Sequence, residues 1–366
     1  MKKFLLYAWI IFCIILLVLF TISCLSTFIA PLTFSYITFF AIAFPYLFLL
    51  MLIAAAISFY IYRKLCWLLL ICLPPGLFNL SHVLAINFPK KFTDVKKDSS
   101  IFRIMTWNVQ DFVDLSEKSE VRSNMLHLIT QKNPDVLCVQ ECTNVEGGKW
   151  RVSVRRELDS MGYKYHFLSN DNVTTNKSDA LVSRGCAIFS KTSFEDSGRV
   201  LIRNDGENEH LIYVNVNFDN RLLRVYTAHL ASFALYRDTD NVKKDVYQIT
   251  YDRKRAIQYK LREVEQLHQK ETKIIRDTMS RAVLPVVYCG DMNAVPSTYT
   301  YRFIKSNLQD AYLEAGLGIG NTFYKILPML RIDYCLPDQR FNVYNCTVIK
   351  QKLSDHYPVI TDLQWK

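Results

Sequence analysis

The 59 residues from Phe4 to Tyr62 contain no Asp, Glu, Lys, Arg or His. A helix that crosses the hydrocarbon core of a bilayer needs about 20 apolar residues. The stretch therefore has room for two spanning helices and a short loop. We place these helices at residues 4–25 and 35–62, with Ile29-Ala30-Pro31 in the turn between them. The rest of the chain has to fold beside a membrane.

A third stretch, Leu65–Pro89, follows Arg63-Lys64. It contains no Asp, Glu, Lys or Arg and is interrupted by Pro74-Pro75. Proline is tolerated inside membrane helices, so the sequence favours a third span at 65–89. A re-entrant or interfacial segment is the alternative. Residues 1–89 are thus interpreted as a transmembrane region of two or three helices, 90–100 as a basic linker and 101–366 as one domain. A domain of that length can bury its own core.

The positive charge of the chain is concentrated near the membrane segments. Residues 1–100 contain eight Lys and Arg residues and two Asp residues, a net charge of +6, which leaves +4 of the total +10 for residues 101–366. This excess is poor evidence for a nucleic-acid groove, because basic residues beside spans set topology and contact anionic lipid.

Basic residues also bear on the orientation of the chain. Lys2-Lys3 and Arg63-Lys64 favour the cytoplasmic side. A third span would then place the folded domain outside the cytoplasm, and its absence would leave that domain inside. The four lysines between Lys90 and Lys97 favour the second arrangement. A signal peptide at residues 1–24 is a weaker reading, because more membrane sequence follows.

The part after residue 100 alternates apolar runs with helical patterns. A strand at 101–108, a helix at 117–131 and a strand at 135–141 give a strand–helix–strand unit, and further helices are expected at 150–161 and 253–279. Residues 170–179 are polar and loop-like, and Asn220-Arg221 marks a tight hairpin. The other predicted strands are 185–190, 211–218, 222–230, 284–291, 330–336, 342–349 and 358–363. This order suggests two packed sheets with helices outside them.

Five short polar motifs stand at the ends of apolar runs. Buried carboxylates, amides and imidazoles are costly unless they share a task. Metal-assisted phosphoester cleavage needs this inventory of hard oxygen ligands, a base and a charge stabiliser. The motifs are Thr106-Trp107-Asn108, Val139-Gln140-Glu141, Thr227-Ala228-His229, Gly290-Asp291-Met292-Asn293 and Ser354-Asp355-His356.

The last two motifs are the most specific. Gly290 permits a close backbone approach, and Asp291 and Asn293 would face the same side if the backbone stays extended. An Asx-type turn is the alternative for this motif. In the other motif, His356 can shuttle a proton near neutral pH, and Asp333 is a candidate to orient its ring.

Together these residues resemble the endonuclease/exonuclease/phosphatase superfamily, which includes pancreatic-type deoxyribonuclease, neutral sphingomyelinases and inositol-polyphosphate 5-phosphatases. The resemblance covers residues 101–364. It rests on the five motifs together with Gly-Cys-Ala-Ile-Phe-Ser at 185–190 and Arg-Ile-Asp-Tyr at 331–334. It implies an α/β fold, a four-layer αββα sandwich of two mixed sheets.

The resemblance also implies roles for individual residues. Glu141 resembles the main Mg²⁺ ligand, with Asn108 and Asp355 nearby. Asp291 and Asn293 resemble the residues that orient water and hold the scissile phosphate. His356, paired with Asp333, resembles a general base or transition-state stabiliser, and His229 resembles a residue that contacts the phosphate or assists the leaving group.

One position departs from the pattern of some nuclease members. Gln110 stands where they carry an acidic residue, two positions after the first-strand Asn. This departure disfavours an abasic-site endonuclease and favours one ion over two. The expected cofactor is Mg²⁺, with Mn²⁺ as an alternative.

The sequence therefore predicts a membrane-anchored, Mg²⁺-dependent phosphoesterase. Its substrate would be a nucleic acid or a phospholipid or inositol phosphate. Arg151, Arg155 and Arg156 would suit the former, and the membrane segment the latter. The lipid bilayer is an expected partner, and no protein partner is predicted. The alternative is a catalytically inactive binding module on the same fold.

Overall fold

The computed structural model describes residues 2–34, 36–88, 98–112, 120–146, 153–175, 179–204, 208–233 and 248–366, with backbone only for residues 2 and 248–261. Most of the predicted basic linker and Arg151 lie outside the described residues, as do the first residues of the helices predicted at 117–131 and 150–161. The last residue of the predicted third span, Pro89, also lies outside them.

The described chain contains nine α-helices. The first four precede the folded domain, and the others alternate with its strands. They are α1 (Lys2–Leu25), α2 (Ile37–Ile61), α3 (Arg63–Ile71), α4 (Pro74–Val83), α5 (Glu120–Lys132), α6 (Val154–Ser160), α7 (Gln248–Ser280), α8 (Tyr299–Lys305) and α9 (Ala311–Ala315).

The strands of the described chain form two mixed sheets and one small ribbon. They are β1 (Ala85–Ile86), β2 (Phe102–Asn108), β3 (Val136–Glu146), β4 (Tyr165–Leu168), β5 (Asn172–Thr175), β6 (Leu181–Ser190), β7 (Phe194–Asn204), β8 (Asn208–Phe218), β9 (Arg221–His229), β10 (Val286–Asp291), β11 (Leu317–Gly318), β12 (Asp333–Pro337), β13 (Phe341–Val348) and β14 (Val359–Trp365).

One sheet has the order β13-β14-β2-β3-β6-β4, with β5 also paired to β6, and the other has the order β12-β10-β9-β8-β7. In each sheet one central pair is parallel, β2 with β3 and β9 with β10, and the other pairs are antiparallel. The ribbon pairs β1 with β11. Parallel neighbours place their carboxyl ends at the same edge of a sheet, which matters for the site.

Four layers pack in the order helix, sheet, sheet, helix. The central core lies between the sheets and includes Ile104, Val136, Val214 and Val287. Helices α5 and α6 cover the outer face of the seven-stranded sheet, and α7 and α8 cover that of the five-stranded sheet. The predicted four-layer αββα sandwich of two mixed sheets is confirmed.

Helices α1 and α2 are long and apolar enough to cross a membrane, as the sequence predicts. The third apolar stretch, residues 65–89, does not form one continuous helix. It forms α3 and α4, which are bent by 53° at the break between them. Pro74 stands at the first position of α4, where its missing amide hydrogen costs no helical bond. The pair has the form of a broken span or of a re-entrant segment.

Several predictions of local structure are wrong. Residues 172–175 form β5 within the segment predicted as a loop, and the strand predicted from residue 330 begins at Asp333. The hairpin turn is Asp219-Asn220 and not Asn220-Arg221. Phe218 pairs with Arg221, and both turn residues have positive φ, 52° and 58°. Two left-handed residues give the turn twist that suits a two-residue hairpin.

Candidate active site

The register of the five-stranded sheet brings three predicted site residues side by side. Asp291, at the end of β10, pairs with His229 at the end of β9 and with Asp333 at the start of β12. In the facing sheet, Asn108 ends β2 and pairs with Gln140 of β3. The two sheets therefore present their polar strand ends at one common edge of the sandwich.

A buried amide joins the sheets just below this edge. The Gln140 side chain donates to the hydroxyl groups of Thr106, in its own sheet, and Thr227, in the facing sheet, at 3.1 and 2.8 Å. These groups are fully buried. Paired buried polar groups fix the relative position of the elements that carry them. This hydrogen-bonded bridge fixes the relative position of the two halves of the site.

His356 is held by a buried carboxylate. Its Nδ1 lies 2.8 Å from Asp333 Oδ2, and its Nε2 lies 3.6 Å from Asp291 Oδ2. The His356 backbone carbonyl accepts the indole N–H of Trp107 at 3.0 Å, and the ring of Phe323 contacts the imidazole at a centroid distance of 4.9 Å. The pairing of His356 with Asp333, predicted from the sequence, is present in the structure.

A second imidazole lies on the other side of Asp291. His229 Nε2 is 3.7 Å from Asp291 Oδ2 and 3.8 Å from Glu141 Oε1, while its Nδ1 is 3.7 Å from Glu209 Oε1. The sequence analysis missed Glu209, which lies near the start of β8. Only the pairing of β8 with β9 brings it beside His229, so no local motif could have indicated it.

Asn108 joins two carboxylates of the site. Its side-chain amide donates to Glu141 Oε1 and to Asp291 Oδ2, at 3.1 Å in each case, and its Oδ1 accepts from the Gln110 amide. Glu141 is partly exposed and has a positive φ of 49°, an uncommon conformation for a non-glycine residue. A left-handed residue here interrupts the pairing of β3 with β6 between Val139 and Cys142.

The Gly290–Asn293 motif forms a turn instead of an extended segment. Asn293 has a φ of 46°, and its backbone amide donates to Asp291 Oδ1 at 2.8 Å, which is the Asx-type alternative. The Asn293 side-chain nitrogen lies 3.2 Å from His229 Nε2. Gly290 is required because a Cβ there would lie 2.3 Å from the Ala228 carbonyl oxygen. The turn leaves Asp291 Oδ2 facing both imidazoles.

Asp355 lies beside this group and is partly exposed. The Ser354 hydroxyl donates to the Asn108 backbone carbonyl at 2.8 Å and to Asp355 Oδ1 at 3.1 Å. Ser354 thus ties the loop before β14 to the end of β2. Glu141 lies inside β3 where the pairing with β6 is interrupted, and the other seven predicted site residues are carried by strand ends or adjoining loops at this edge: Asn108, His229, Asp291, Asn293, Asp333, Asp355 and His356.

Burial and charge shift the acidity of the central groups. Burial and the nearby Asp333 raise the pKa of Asp291 to about 6. Burial alone would lower the pKa of His356, but Asp333 and Asp291 outweigh it and raise that pKa to about 10. Burial likewise opposes protonation of His229, whereas Glu209, Asp291 and Glu141 raise its pKa to about 9. The surrounding carboxylates thus favour the protonated imidazoles, and burial disfavours the ionised form of Asp291.

The donor set fits a divalent cation. Asp291, Asp333 and His356 each bring one ligand atom within 4.8 Å of the others. Asp333 Oδ1 is buried and accepts no hydrogen bond from the described protein. A buried carboxylate oxygen without a partner is costly, and a cation would satisfy it. Asn108 adjoins this group through its hydrogen bond to Asp291, and Glu141 adjoins it through its hydrogen bond with Asn108. Carboxylate and amide oxygens suit Mg²⁺ and Mn²⁺.

Comparison with known proteins identifies relatives of the folded domain. The sequence profile of the endonuclease/exonuclease/phosphatase family matches residues 105–356, more than half of the chain. A DNA-(apurinic or apyrimidinic site) endonuclease of Dictyostelium discoideum is 22% identical over 223 residues, which cover 59% of this chain and 48% of that protein. The chain thus spans about half the length of that relative.

Solved structures share the fold. An endonuclease/exonuclease/phosphatase protein from Beutenbergia cavernae has a TM-score of 0.52 at 20% identity, covering 72% of each chain. The human Nocturnin catalytic domain, solved with a bound sulfate anion, has a TM-score of 0.50 at 19% identity, covering 73% of this chain and 95% of that one. At these identities the likeness concerns the fold.

Proposed function

Because the chain belongs to the endonuclease/exonuclease/phosphatase family, we propose that it is a membrane-anchored hydrolase of phosphoester bonds that requires a divalent cation, Mg²⁺ by expectation. Members of this family cleave phosphoester bonds with the help of a divalent metal. The observation that carries the proposal is the convergence of Asp291, Asp333 and His356 at one edge of the sandwich, where one buried Asp333 oxygen has no partner among the described residues.

The cation would be held by oxygen atoms of this group, with Glu141 and Asn108 as the predicted ligands and Asp355 beside them. When bound, it supplies positive charge that offsets the charge of the phosphate. Substitution of each carboxylate in turn measures how much of the cation binding comes from Glu141 and how much from the Asp291–Asp333 pair.

The proton-transfer roles follow from the charges of the side chains. Asp291 is ionised at neutral pH, and its Oδ2 can accept a proton from the attacking water. The neighbouring carboxylates favour the protonated forms of His356 and His229, and a protonated imidazole can neither act as a base nor bind the cation, so the proposed ligands are oxygen atoms. As cations the two imidazoles stabilise charge that develops on the phosphate oxygens, and either can protonate the leaving alcohol. Asp333 and Glu209 keep the two imidazoles oriented and charged.

The membrane arrangement supports an extracytoplasmic domain. Helices α3 and α4 together have 19 residues, or about 28 Å of helical rise, which is close to the roughly 30 Å of a bilayer core. If this pair spans, Arg63-Lys64 lies on the cytoplasmic side with Lys2-Lys3, in agreement with the positive-inside rule. The catalytic domain then lies outside. A reporter fused to the C-terminus that is active only in the cytoplasm would overturn this orientation.

The activity is tested with the full chain in detergent and a soluble chromogenic phosphodiester, bis(p-nitrophenyl) phosphate. We expect hydrolysis with Mg²⁺ or Mn²⁺, loss of hydrolysis with EDTA and recovery when the metal is restored. Glu141→Ala and His356→Ala should abolish turnover with little change in melting temperature. Turnover that persists in EDTA would contradict the metal requirement, and an inert wild type would favour the inactive binding module.

A further inference from the structure

The loop that follows the catalytic strand β10 is bound to the membrane helices. The Ser297 carbonyl, four residues after Asn293, accepts hydrogen bonds from the hydroxyl groups of Ser26 and Thr27 at 2.7 and 3.1 Å. The Ser297 hydroxyl in turn donates to the Ala41 carbonyl at 2.7 Å. One buried serine thus joins the end of α1 and the first turns of α2 to the loop that carries Asn293.

A second contact reaches the other side of the site. Ala41 and Ile42, near the start of α2, pack in one apolar cluster with residues of the domain: Val295, Phe323, Leu327, Leu330 and Ile332. Phe323 also contacts the His356 ring, and Ile332 directly precedes Asp333. The His356–Asp333 pair therefore adjoins an apolar cluster that includes two residues of α2.

Helix α4 also contacts the domain, through its C-terminal end, as α1 does through its C-terminal end and α2 through its first turns. The carbonyl of His82, in the last turn of α4, accepts from Arg331 at 2.7 Å, and β1 then pairs with β11 of the domain. The opposite ends of the helices carry Lys3, Arg63 and Lys64. Helices α1 and α2 have 24 and 25 residues, about 36 Å each, which exceeds the bilayer core of roughly 30 Å.

Exposed aromatic side chains mark the level of the membrane surface at the domain end of these helices. Phe28 and Tyr36 are exposed there, and the Arg302 guanidinium lies 4.3 Å from the Phe28 ring centroid. Aromatic rings and arginine side chains collect at the headgroup level. The catalytic edge of the sandwich is thus the edge that faces the bilayer.

We propose that the substrate is a phosphoester in a membrane phospholipid headgroup, taken directly from the surface of the bilayer. This inference rests on the proposed hydrolase function. Lipid phosphates occupy the layer just outside the hydrocarbon core, which is where the helix ends hold the site. A nucleic acid would instead need a wide basic approach, whereas the domain carries +4 of the total charge of +10, and its catalytic edge is turned towards the membrane.

The chemistry is simple hydrolysis. The oxygen of water forms a new bond to phosphorus, and one ester P–O bond breaks. One proton of the water passes to Asp291 and the alcohol leaves with a proton from an imidazolium, so the protein regains its original charge when Asp291 returns a proton to the histidine. No further co-reactant is required.

The test uses the full chain reconstituted in vesicles of phosphatidylcholine, phosphatidylethanolamine and phosphatidylglycerol with Mg²⁺. Lipid products are measured by mass spectrometry, in parallel with plasmid nicking and with hydrolysis of bis(p-nitrophenyl) phosphate. We expect faster turnover of lipid than of plasmid. Plasmid nicking that equals or exceeds lipid turnover would overturn the inference, as would intact lipid beside active hydrolysis of the soluble diester. If none of the three substrates is cleaved, the proposed function itself fails.

A matched pair of surface variants tests the orientation. Ile326 is 50% exposed in the loop that contacts α2, whereas Val283 is 91% exposed just before β10, at the edge opposite the site. A negative charge at the anionic bilayer surface costs about 1 kcal/mol, so Ile326→Asp should lower lipid turnover roughly 5- to 10-fold. Val283→Asp should leave lipid turnover unchanged. Both variants should hydrolyse the soluble diester at the wild-type rate. Equal lipid rates in all three proteins would contradict a bilayer-facing edge.

Discussion

Asp310 and Asp333 are two buried carboxylates on either side of Arg331 in sequence, and both are 2% exposed. Both oxygens of Asp310 are used. They accept from the Tyr301 hydroxyl, the Arg331 guanidinium and the amides of Tyr312 and Leu313. Asp333 pairs one oxygen with His356, and its other oxygen has no partner among the residues that the structure describes. A satisfied buried charge holds structure together, whereas an unsatisfied one can bind a cation or substrate.

The surroundings of the two carboxylates differ in the same way. Asp310 caps α9 and anchors Arg331, whose other hydrogen bond reaches the His82 carbonyl. Asp333 faces Asp291, a like charge that raises the pKa of Asp291. Like charges brought together in a buried place lower stability. Such an arrangement is expected where binding of a cation offsets the cost.

The largest effect is expected from Asp333→Asn. The amide removes the negative charge that keeps His356 protonated and oriented, by analogy with the roughly 10⁴-fold losses seen when a carboxylate behind a catalytic imidazole becomes an amide. We expect turnover of bis(p-nitrophenyl) phosphate to fall about 10³-fold or more. The melting temperature, measured by differential scanning fluorimetry, should change little. A large loss of stability in this variant would erase the contrast with Asp310.

Asp310→Asn should show the opposite pattern. Arg331 is 1% exposed, and the substitution would leave its guanidinium without a carboxylate partner. Breaking a buried ion pair in this way costs about 3–5 kcal/mol of folding free energy. Thermal and urea unfolding should detect this loss, while turnover per folded molecule stays far closer to wild type than in Asp333→Asn. Unchanged stability would show that Asp310 is not the structural counterpart.

Glu209→Gln tests the second imidazole. Glu209 raises the pKa of His229, so its neutralisation should lower that pKa from about 9. Protonated His229 is then lost at a lower pH, and the alkaline limb of the kcat/KM profile should move to lower pH. Loss of such a supporting carboxylate typically costs about 10-fold or more in activity. Glu195→Gln on the exposed edge strand β7 is the matched control. An unmoved alkaline limb would exclude Glu209 from this role.

A third buried carboxylate also has an oxygen without a partner in the described protein, although it contacts none of the candidate site residues. Glu265 of α7 accepts a hydrogen bond from Thr38 of α2, and its other oxygen has no partner in the described protein. Burial raises the pKa of Glu265 to about 7 from the ordinary 4.5. The folded state therefore holds this proton more tightly than the unfolded state, and stability falls as pH rises from 4.5 through 7.

Glu265→Gln should abolish that fall in stability. We expect the variant to exceed wild type by on the order of 1 kcal/mol at pH 8 and to match it near pH 4.5. Turnover should be unaffected, because Glu265 contacts Thr38 of α2 and none of the candidate site residues. The control is Glu263→Gln at an exposed position of the same helix. A variant that is no more stable than wild type at pH 8 would contradict the burial of a protonated carboxyl there.

The sequence alone was sufficient to predict the strands that carry the motifs. Continuous apolar runs such as Val136–Val139 and Val286–Cys289 lie in the buried centre of a sheet, where burial on both faces leaves an unmistakable pattern. The edge strand β7, with the sequence FEDSGRVLIRN, was missed because it is largely solvent-facing and reads as polar. The bend between α3 and α4 likewise depends on packing, although Pro74-Pro75 marks where it occurs.

The candidate site was predicted residue by residue, yet its geometry was not. The left-handed φ of Glu141 and Asn293 and the partner Glu209 depend on tertiary register, which single-sequence patterns do not report. Asp291 illustrates the limit. Its position after Gly290 indicated a site, but the Asx turn that directs its Oδ2 towards both imidazoles required the paired strands β9, β10 and β12.

Calorimetric titration of the full chain with Mn²⁺ tests most directly whether the carboxylates at this edge form a cation site. Wild type and Asp310→Asn should bind Mn²⁺ saturably at a temperature where both are folded, and a combined Glu141→Gln and Asp291→Asn variant should not, because it loses carboxylates at the proposed site. Equal binding by the combined variant, or no binding by wild type, would contradict the assignment of this edge as a divalent-cation centre.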